Sequence, residues 1–199
     1  MGLQILDGQG SGNVAGVTSE GLLRVQAQTN PLQFHHSREH GAAYQVQGDF
    51  ASVNNSTHAV LHLKNTSSTN VVVVTYIRCQ FLDYAGGTAL PNVATYWDFG
   101  LNRTVSSGGT AVTPVNMNAA SGNAASVTAT DNNPTMGGTF LEFDRYYPSS
   151  EADQLTYNKE GALILGQNDT FEIRITSDHT SGVAQARVSF LEYDPTLEA

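Results

Sequence analysis

The chain has 199 residues, of which only 14% are charged, and acidic residues outnumber basic ones 18 to 9 for a formal charge of −9. This length accommodates one domain with a sizeable core but is short for two. The scarcity of Lys and Arg argues against binding to nucleic acid or to an anionic membrane surface, because both depend on clustered basic residues. Asn, Ser, Thr, Gln and Gly must therefore hydrate the surface, and these residues favour turns over helices.

The chain contains a single cysteine, Cys79, so no intrachain disulfide can stabilise the fold. Its surroundings, VVVVTYIRCQFLDY, are apolar and typical of a strand, and we expect a small core or interface residue rather than a nucleophile. The opening residues contain no basic segment followed by an apolar run, and about 18 consecutive apolar residues occur nowhere, so we expect neither a signal peptide nor a transmembrane helix.

Residues 1–43 differ from the rest of the chain. Asp7–Gly16 reads DGQGSGNVAG, a segment with four glycines and too little apolar surface to form its own core. We therefore predict an extended N-terminal arm that becomes ordered by contact with another molecule. The glycine spacing does not indicate a phosphate loop, because neither Gly-x-Gly-x-x-Gly nor a following Lys-Ser/Thr is present. Alternation of apolar and polar residues predicts one strand within the arm, at Gly21–Gln28.

Three of the six histidines, His35, His36 and His40, lie in the segment FHHSREHG that ends the arm. Helical spacing would bring His36 and His40 to one face, where they could bind Zn²⁺ or Ni²⁺. No thiolate is available, and the residues between them offer little to orient the rings. We expect a solvated or interface linker, with an ion bound where three copies meet on a symmetry axis as the alternative.

From Tyr44 onward the chain alternates apolar and polar residues, with turn signals such as KNTSSTN, SSGGT and DNNPTMGG between the alternating segments. The predicted strands are Tyr44–Val53, Ala59–Lys64, Asn70–Asp83, Thr95–Leu101, Ala111–Asn116, Ser126–Thr130, Thr139–Tyr146, Ala162–Leu165, Thr170–Thr176 and Ala184–Tyr193. Short antiparallel strands without crossover helices indicate an all-β, two-sheet sandwich over residues 44–199, for which a jelly roll is a common arrangement.

The alternation also predicts which residues share a face. In the most apolar segment, Val71, Val73, Thr75, Ile77, Cys79 and Phe81 are predicted to share one face, while Val72, Val74 and Tyr76 lie on the other. Burial of both faces places this strand inside a sheet. The last two strands are predicted to form a hairpin whose inward residues are Phe171, Ile173, Ile175, Ala186, Val188 and Phe190.

Three kinds of residue could carry chemistry or binding in this body, namely carboxylates, histidines and aromatic residues. Glu142 and Asp144, and likewise Glu192 and Asp194, are two apart and predicted to share a face, as are His58 and His62 on their strand. Paired acids can hydrolyse glycosides, but a solvated strand face has the same pattern, and we predict no catalytic residue. The aromatic residues Tyr96, Trp97, Phe99, Tyr146 and Tyr147 could stack on sugars or close a core or subunit interface.

The arm resembles the opening of a group of tailed-phage virion proteins that begin with a pattern like D-G-x-G-x-G-N-x-A-x-V-x-x-x-x-x-L-x-V. The pattern falls on Asp7, Gly8, Gly10, Gly12, Asn13, Ala15, Val17, Leu23 and Val25. GAAYQV at Gly41–Val46, VLHLKN at Val60–Asn65 and the end of Asn168–Thr176 are similar to later segments of that group.

The resemblance implies a non-enzymatic β-sandwich that is assembled symmetrically on a virus. We therefore predict a capsid decoration or cement protein, made in the host cytoplasm and located on the capsid surface as a homotrimer. Its arm would bind the major capsid protein and sister subunits through Leu3, Ile5, Leu6, Asp7, Gly8, Gly10, Gly12, Asn13, Val14, Val17, Leu22, Leu23 and Val25. No cofactor and no metal are predicted.

Two alternatives remain open at this stage. A tail-fibre or receptor-binding protein would hold a host glycan through its aromatic loops, with Trp97 as the residue to test. An enzyme acting on cell-surface polysaccharide would depend on the carboxylate pairs, with Glu142 as the residue to test.

Overall fold

The structure is a computed structural model that describes residues 40–82, 95–148, 154–177 and 181–196, with only the backbone described at 160–162. Thirteen strands occur in these ranges. They are β1 Ala43–Phe50, β2 Ser56–Asn65, β3 Val71–Leu82, β4 Tyr96–Leu101, β5 Thr104–Ser107, β6 Thr110–Val112, β7 Val115–Asn116, β8 Val127–Asp131, β9 Thr135–Gly137, β10 Leu141–Tyr146, β11 Gln154–Leu165, β12 Thr170–Ser177 and β13 Val183–Tyr193. The predicted arm, including the strand Gly21–Gln28, lies outside the described residues except for residues 40–43.

The strands form two main antiparallel sheets and one small one. The five-stranded sheet has the order β11-β3-β13-β1-β7, the six-stranded sheet has the order β10-β4-β12-β2-β8-β6, and β5 pairs with β9. The predicted all-β, two-sheet sandwich is confirmed. Within the described ranges, no helix has the length and apolar character needed to cross a bilayer.

The core lies between the two sheets and is supplied by alternate residues of each strand. In β1, Tyr44, Val46 and Phe50 are buried in the core, whereas Gln45 and Gln47 lie on the outer face. Gly48 continues the inward series, and a Cβ there would come within 2.9 Å of Leu61 Cδ1 and the Val60 carbonyl oxygen. This position therefore requires glycine, because the facing strand approaches too closely for a side chain.

Several predicted strands have other extents in the structure. The predicted strand Ala111–Asn116 is two strands in different sheets, β6 and β7, separated at Pro114, whose missing N–H interrupts a ladder. The predicted strand Ala162–Leu165 is only the apolar end of β11, whose first half is too polar to be recognised. The short polar strands β5 and β9 were not predicted.

The predicted hairpin of the last two strands is wrong. β12 pairs with β2 and β4 in the six-stranded sheet, whereas β13 pairs with β1 and β3 in the five-stranded sheet. The inward residues were nevertheless predicted correctly, since the six of them are buried and belong to one core, which they reach from opposite sides. The alternation of each strand specifies its buried side but not its partner strand.

The predicted faces of β3 are also wrong in its first half. Ser189 pairs with Tyr76 and Phe190 with Val74, so Thr75 is an extra residue in a β-bulge. The bulge shifts the alternation, and the core-facing valines are Val72 and Val74 rather than their neighbours. The interior position of the strand is confirmed, since β3 lies between β11 and β13. Cys79 is confirmed as a core residue, and burial raises the pKa of its thiol well above the usual range.

The abundance of asparagine has a backbone cause. All the non-glycine residues with positive φ in the described ranges are asparagines, namely Asn102, Asn132, Asn133 and Asn168. The left-handed conformation is costly for most side chains, but asparagine tolerates it. These residues lie in the connections between strands and allow the chain to reverse direction.

Asn65 at the end of β2 connects the two sheets. Its side-chain amide nitrogen donates hydrogen bonds to the carbonyl oxygens of Asn70 (2.9 Å) and Leu165 (3.0 Å), and its side-chain oxygen accepts one from the Ser67 N–H (2.9 Å). The residue is completely buried. Leu165 belongs to β11, so this side chain joins the edge of one sheet to an interior strand of the other.

We predict that Asn65→Ala lowers the free energy of unfolding by about 2–4 kcal/mol, because it leaves buried carbonyl and N–H groups without partners. Urea denaturation measures the change. Asn55→Ala, which removes the same amide at an exposed loop position, should change stability by less than about 0.5 kcal/mol. Equal effects of the two substitutions would contradict the assigned role of Asn65.

Candidate functional site

The residues predicted to bind the capsid, from Leu3 to Val25, lie outside the described residues, as do His35 and His36. The structure does describe the junction at which the arm meets the body. The carbonyl oxygen of His40 accepts a hydrogen bond from the Asn123 side chain (2.9 Å), and that of Gly41 accepts one from Asn116 (2.7 Å). The Met117 N–H donates to the Ala43 carbonyl at 2.8 Å. The chain is therefore attached firmly to the body from residue 40 onward.

The histidine predictions have two outcomes. In the described part of the chain, no group of three or more His, Cys, Asp or Glu residues is placed to hold a metal ion. His58 and His62 do not share a face, which corrects the prediction. His58 pairs with Ile175 and His62 with Glu172, and Val60 is an extra residue in a bulge between them. Since cross-strand partners lie on the same side of a sheet, His58 faces inward and His62 outward.

The carboxylate pairs are separated as well. Glu142 pairs with Gly100 and Asp144 with Phe99, and the bulge at Phe143 puts the two acids on different faces. Glu142 Oε2 accepts a hydrogen bond from Arg145 (2.6 Å), while Asp144 accepts hydrogen bonds from Tyr157 and Lys159 of β11. Glu192 and Asp194 are also separated, because Asp194 lies beyond the end of β13 and accepts a hydrogen bond from the Thr196 N–H.

The aromatic residues divide between the core and the surface. Trp97 and Phe99 are 1% and 2% exposed, so they close the core and are not accessible to a glycan. Tyr96 and Tyr147 remain at the surface with ring centroids 5.4 Å apart, and the Arg145 guanidinium lies 4.3 Å from the centroid of the Tyr96 ring. Of the two roles left open for these aromatic residues, Trp97 and Phe99 therefore have the core role, and the alternative in which Trp97 stacks on a sugar is wrong.

The outer face of the six-stranded sheet carries a buried ion network centred on Asp98. The register places Asp98 of β4 between Arg145 of β10 and Arg174 of β12. Arg145 Nε donates to Asp98 Oδ1 at 2.6 Å, and Arg174 Nη2 donates to Asp98 Oδ2 at 3.0 Å. The Asp98 side chain is 1% exposed. A carboxylate removed from water in this way is stable only because both oxygens have cationic partners.

The ion network continues to Glu172, which is also 1% exposed. Arg103 Nη1 lies 3.4 Å from Glu172 Oε1, while Glu172 Oε2 has no hydrogen-bond partner. Burial raises the pKa of Glu172, although Arg103 and Arg174 oppose the shift. His62 lies opposite Glu172, and its Nε2 is 2.9 Å from the Arg103 carbonyl oxygen. Burial lowers the pKa of His62, so the ring is disfavoured as a cation.

Two residues that precede β10, Met136 and Phe140, contact the arginines of the ion network. The Phe140 ring lies over the Arg174 guanidinium with a distance of 3.3 Å to the ring centroid. A Cβ at Gly100 would overlap this ring, so the glycine provides the space for it. Arg103 Nη2 donates to the Met136 carbonyl oxygen at 2.8 Å. The two buried carboxylates of the ion network, Asp98 and Glu172, are therefore each paired with at least one arginine.

We predict that Asp98→Asn lowers the free energy of unfolding by about 3–5 kcal/mol, because it leaves two arginines without their shared buried carboxylate. Glu142→Gln is the matched control, since it removes a carboxylate from the same Arg145 at a position that is 38% exposed. It should cost about 1 kcal/mol or less. Chemical denaturation of both variants measures the difference, and similar losses would contradict the assignment.

Glu192 is a buried carboxylate close to the junction. Its Oε1 accepts a hydrogen bond from the Ser126 N–H at 2.7 Å, and its own N–H donates to the Ala42 carbonyl oxygen at 2.9 Å. Burial raises the pKa of Glu192 more than the Ser126 hydrogen bonds lower it. Burial, and next the charge of Glu192, raise the pKa of Tyr44.

The raised pKa of Glu192 predicts a pH-dependent stability. The folded protein binds this proton more tightly than the unfolded chain, whose pKa is near the ordinary 4.5. The wild type therefore loses stability as the pH rises from 4.5 through the folded pKa. Glu192→Gln should be the more stable protein at pH 7, and its advantage should vanish below about pH 4.

Thermal or urea unfolding from pH 3 to 8 provides the measurement for Glu192→Gln. Asp194→Asn is a control of opposite sign, because the hydrogen bonds from Thr196 lower the pKa of Asp194. That variant should lose stability relative to the wild type only above the folded pKa of Asp194. A pH-independent difference between Glu192→Gln and the wild type would refute the proposed cause.

Large apolar side chains are exposed in two places. Leu141, Phe143 and Ile164 lie on β10 and β11, the strands that end the two sheets on one side, and Tyr147 follows β10. Val115 (68% exposed) and Met117 (47% exposed) lie on the opposite side, next to the junction of residues 40–43.

One feature of the described surface was not predicted from the sequence. Arg78 of β3 and Arg187 of β13 are direct cross-strand partners on the outer face of the five-stranded sheet. Each is an isolated arginine in its own strand, so only the strand pairing brings the two charges together.

In comparisons of the whole chain, no protein-family model, no curated protein and no solved structure matches it significantly.

Proposed function

We propose that this protein is a non-enzymatic virion structural protein, specifically a capsid decoration or cement protein that binds the phage head through its N-terminal arm. The resemblance of Asp7–Val25 to phage virion proteins supports the proposal. The observation that carries it in the structure is the junction, where residues 40–43 are attached to the body by hydrogen bonds from Asn116, Met117 and Asn123. Because the arm begins at a point that is hydrogen bonded to the body, binding of the arm would hold the whole body on the capsid.

The surface beside the junction also supports this function. Val115 and Met117 leave large apolar area in water next to the point where the arm begins. Such area is stabilised by contact with another protein surface. We infer that the capsid, or a sister subunit, covers these two side chains when the arm binds.

The strand order supports a jelly roll as the fold of this virion protein. Four strands of one sheet, in the order β11-β3-β13-β1, face four of the other, in the order β10-β4-β12-β2. Successive strands such as β1, β2, β3 and β4 alternate between the two sheets. This alternation is what two interleaved Greek keys produce, and such double-sheet sandwiches occur in capsid proteins.

The binding mechanism would be adhesive. Each apolar side chain of the arm contributes about 1.5–3 kcal/mol if it is fully buried, and the ordering of flexible glycines offsets part of this gain. Assembly as a symmetric trimer adds avidity, because three arms bind together. No reactive group is required, and the carboxylates considered for catalysis, Glu142 and Asp144, each have cationic partners.

We predict that deletion of residues 1–25 abolishes binding to capsids while the body remains folded, because the described core and the residues packed against it begin at Ala42. Co-sedimentation with decoration-free capsids, together with circular dichroism of the free protein, measures both properties. Equal occupancy of truncated and intact protein would refute the proposal.

Two double substitutions test the two faces of the predicted arm strand separately. Leu23→Asn with Val25→Asn removes apolar side chains from the predicted inner face of the strand, and occupancy should fall sharply. Gln26→Asn with Gln28→Asn is the matched control on the other face, and it should leave occupancy unchanged.

A tail-fibre or receptor-binding function is the second candidate. It no longer depends on Trp97, which is buried, but it is favoured by the polar outer face of the five-stranded sheet with its arginine pair. The copy number in purified particles separates the two functions, because a decoration protein is present in hundreds of copies and a fibre protein in few.

A further inference from the structure

The outer face of the five-stranded sheet is a regular array of polar side chains. Cross-strand pairing aligns β1, β13, β3 and β11 in three rows. The rows are Asp49-Gln185-Gln80-Gln154, Gln47-Arg187-Arg78-Thr156 and Gln45-Ser189-Tyr76-Asn158. We call these twelve residues the polar array. With strands about 4.8 Å apart and rows about 6.8 Å apart, the array measures about 14 Å in each direction.

Among the described residues, the arginine pair at the centre of the polar array has no counter-ion. No carboxylate in the described ranges lies within ion-pair distance of Arg78 or Arg187, and Arg187 donates a hydrogen bond to Gln47 Oε1 at 2.6 Å. The other described arginines all form ion pairs with acids. Like charges placed directly across two strands repel each other and destabilise a sheet. The acid of the polar array, Asp49, lies diagonally opposite Arg187 in the neighbouring row and accepts a hydrogen bond from Gln47 Nε2 at 3.3 Å, without forming an ion pair with either arginine.

The arginine pair borders a surface cavity that is open to solvent on one side. Gln47, Arg78, Gln80, Gln185, Ala186 and Arg187 line a volume of about 60 Å³. A water molecule needs only about 10–15 Å³ on this measure, so the cavity can hold a group the size of a carboxylate. The lining combines guanidinium donors with side-chain amides that can both donate and accept hydrogen bonds.

From this arrangement we propose that the polar array binds an acidic saccharide, with a carboxylate of the sugar between Arg78 and Arg187. The planar guanidinium groups suit a carboxylate because they bind it through paired hydrogen bonds. The surrounding glutamines offer the adjacent donor and acceptor that neighbouring sugar hydroxyls require, and Tyr76 provides a ring face beside them.

The composition of the polar array favours a saccharide over other anionic partners. A protein partner would be expected to meet an apolar core, and the array contains none apart from the ring of Tyr76. Nucleic acid requires several phosphate contacts from clustered basic residues, and the array has two. The proposed saccharide site does not depend on the arm or on where the protein lies on a virus particle.

The test uses the full-length protein in solution and isothermal titration with three probes. These are a galacturonate trisaccharide, its neutral methyl ester and inorganic sulfate. We expect the galacturonate to bind, the ester to bind far more weakly, and sulfate to bind more weakly than galacturonate. Equal affinity for the acid and its ester, equal affinity for sulfate and galacturonate, or no binding of galacturonate would overturn the proposal.

Substitutions locate the site. Arg78→Gln and Arg187→Gln should each weaken galacturonate binding by about tenfold or more, as the loss of a charge-assisted hydrogen-bonded pair requires. Lys64→Gln is the matched control, since Lys64 is a described cation of the six-stranded sheet that forms no ion pair in the described ranges. An equal loss from Lys64→Gln, or unchanged binding in both arginine variants, would overturn the assignment.

One further variant separates charge from geometry, and NMR spectra control for unfolding. Arg187→Lys retains the charge but not the planar fork, so binding intermediate between the wild type and Arg187→Gln is expected. Proton–nitrogen NMR spectra of each variant verify that the sheet is intact. Because no particle is involved, failure of saccharide binding leaves the proposed capsid function standing, and failure of arm-dependent capsid binding leaves the saccharide site standing.

Discussion

The face-to-face burial of two antiparallel sheets is the constraint on which the rest of this structure depends. The chain has one cysteine and therefore no internal disulfide, and within the described ranges it has no helix to cover a sheet. Each strand must then give one side to the common core and present the other side outward. Gly48 and Asn65 show how closely the layers are matched, since one removes a side chain where the sheets approach and the other connects them by buried hydrogen bonds.

Charged side chains are arranged differently on the outer faces of the two sheets. On the six-stranded sheet, Asp98 lies between two arginines and Phe140 covers the group, so the charges are paired and withdrawn from water. On the five-stranded sheet, Arg78 and Arg187 are cross-strand partners, and neither forms an ion pair with an acid in the described ranges. The first arrangement stabilises the fold, whereas the second is the basis of the proposed saccharide site. This difference between the faces is therefore the observation on which the proposed binding site rests.

Local alternation indicated most of the strands and their buried residues, but it could not show where the alternation shifts. Bulges at Val60, Thr75 and Phe143 each insert one residue opposite none on the partner strand. They separate His58 from His62 and Glu142 from Asp144, which the unbroken alternation had placed together. A bulge depends on the register with a partner that is distant in the sequence, and no single segment carries that information.

The sequence by itself determined that the body is all-β, that Cys79 and the alternating apolar residues form its core, and that asparagine-rich turns connect its strands. These properties follow from local preferences for extended chain, burial and left-handed backbone. Only the tertiary structure decided that β12 and β13 belong to different sheets, that Trp97 is buried, and that Arg78 and Arg187 are neighbours. Those outcomes depend on which strands pair and in which register, and pairing is settled by the simultaneous packing of the whole core rather than by any segment alone.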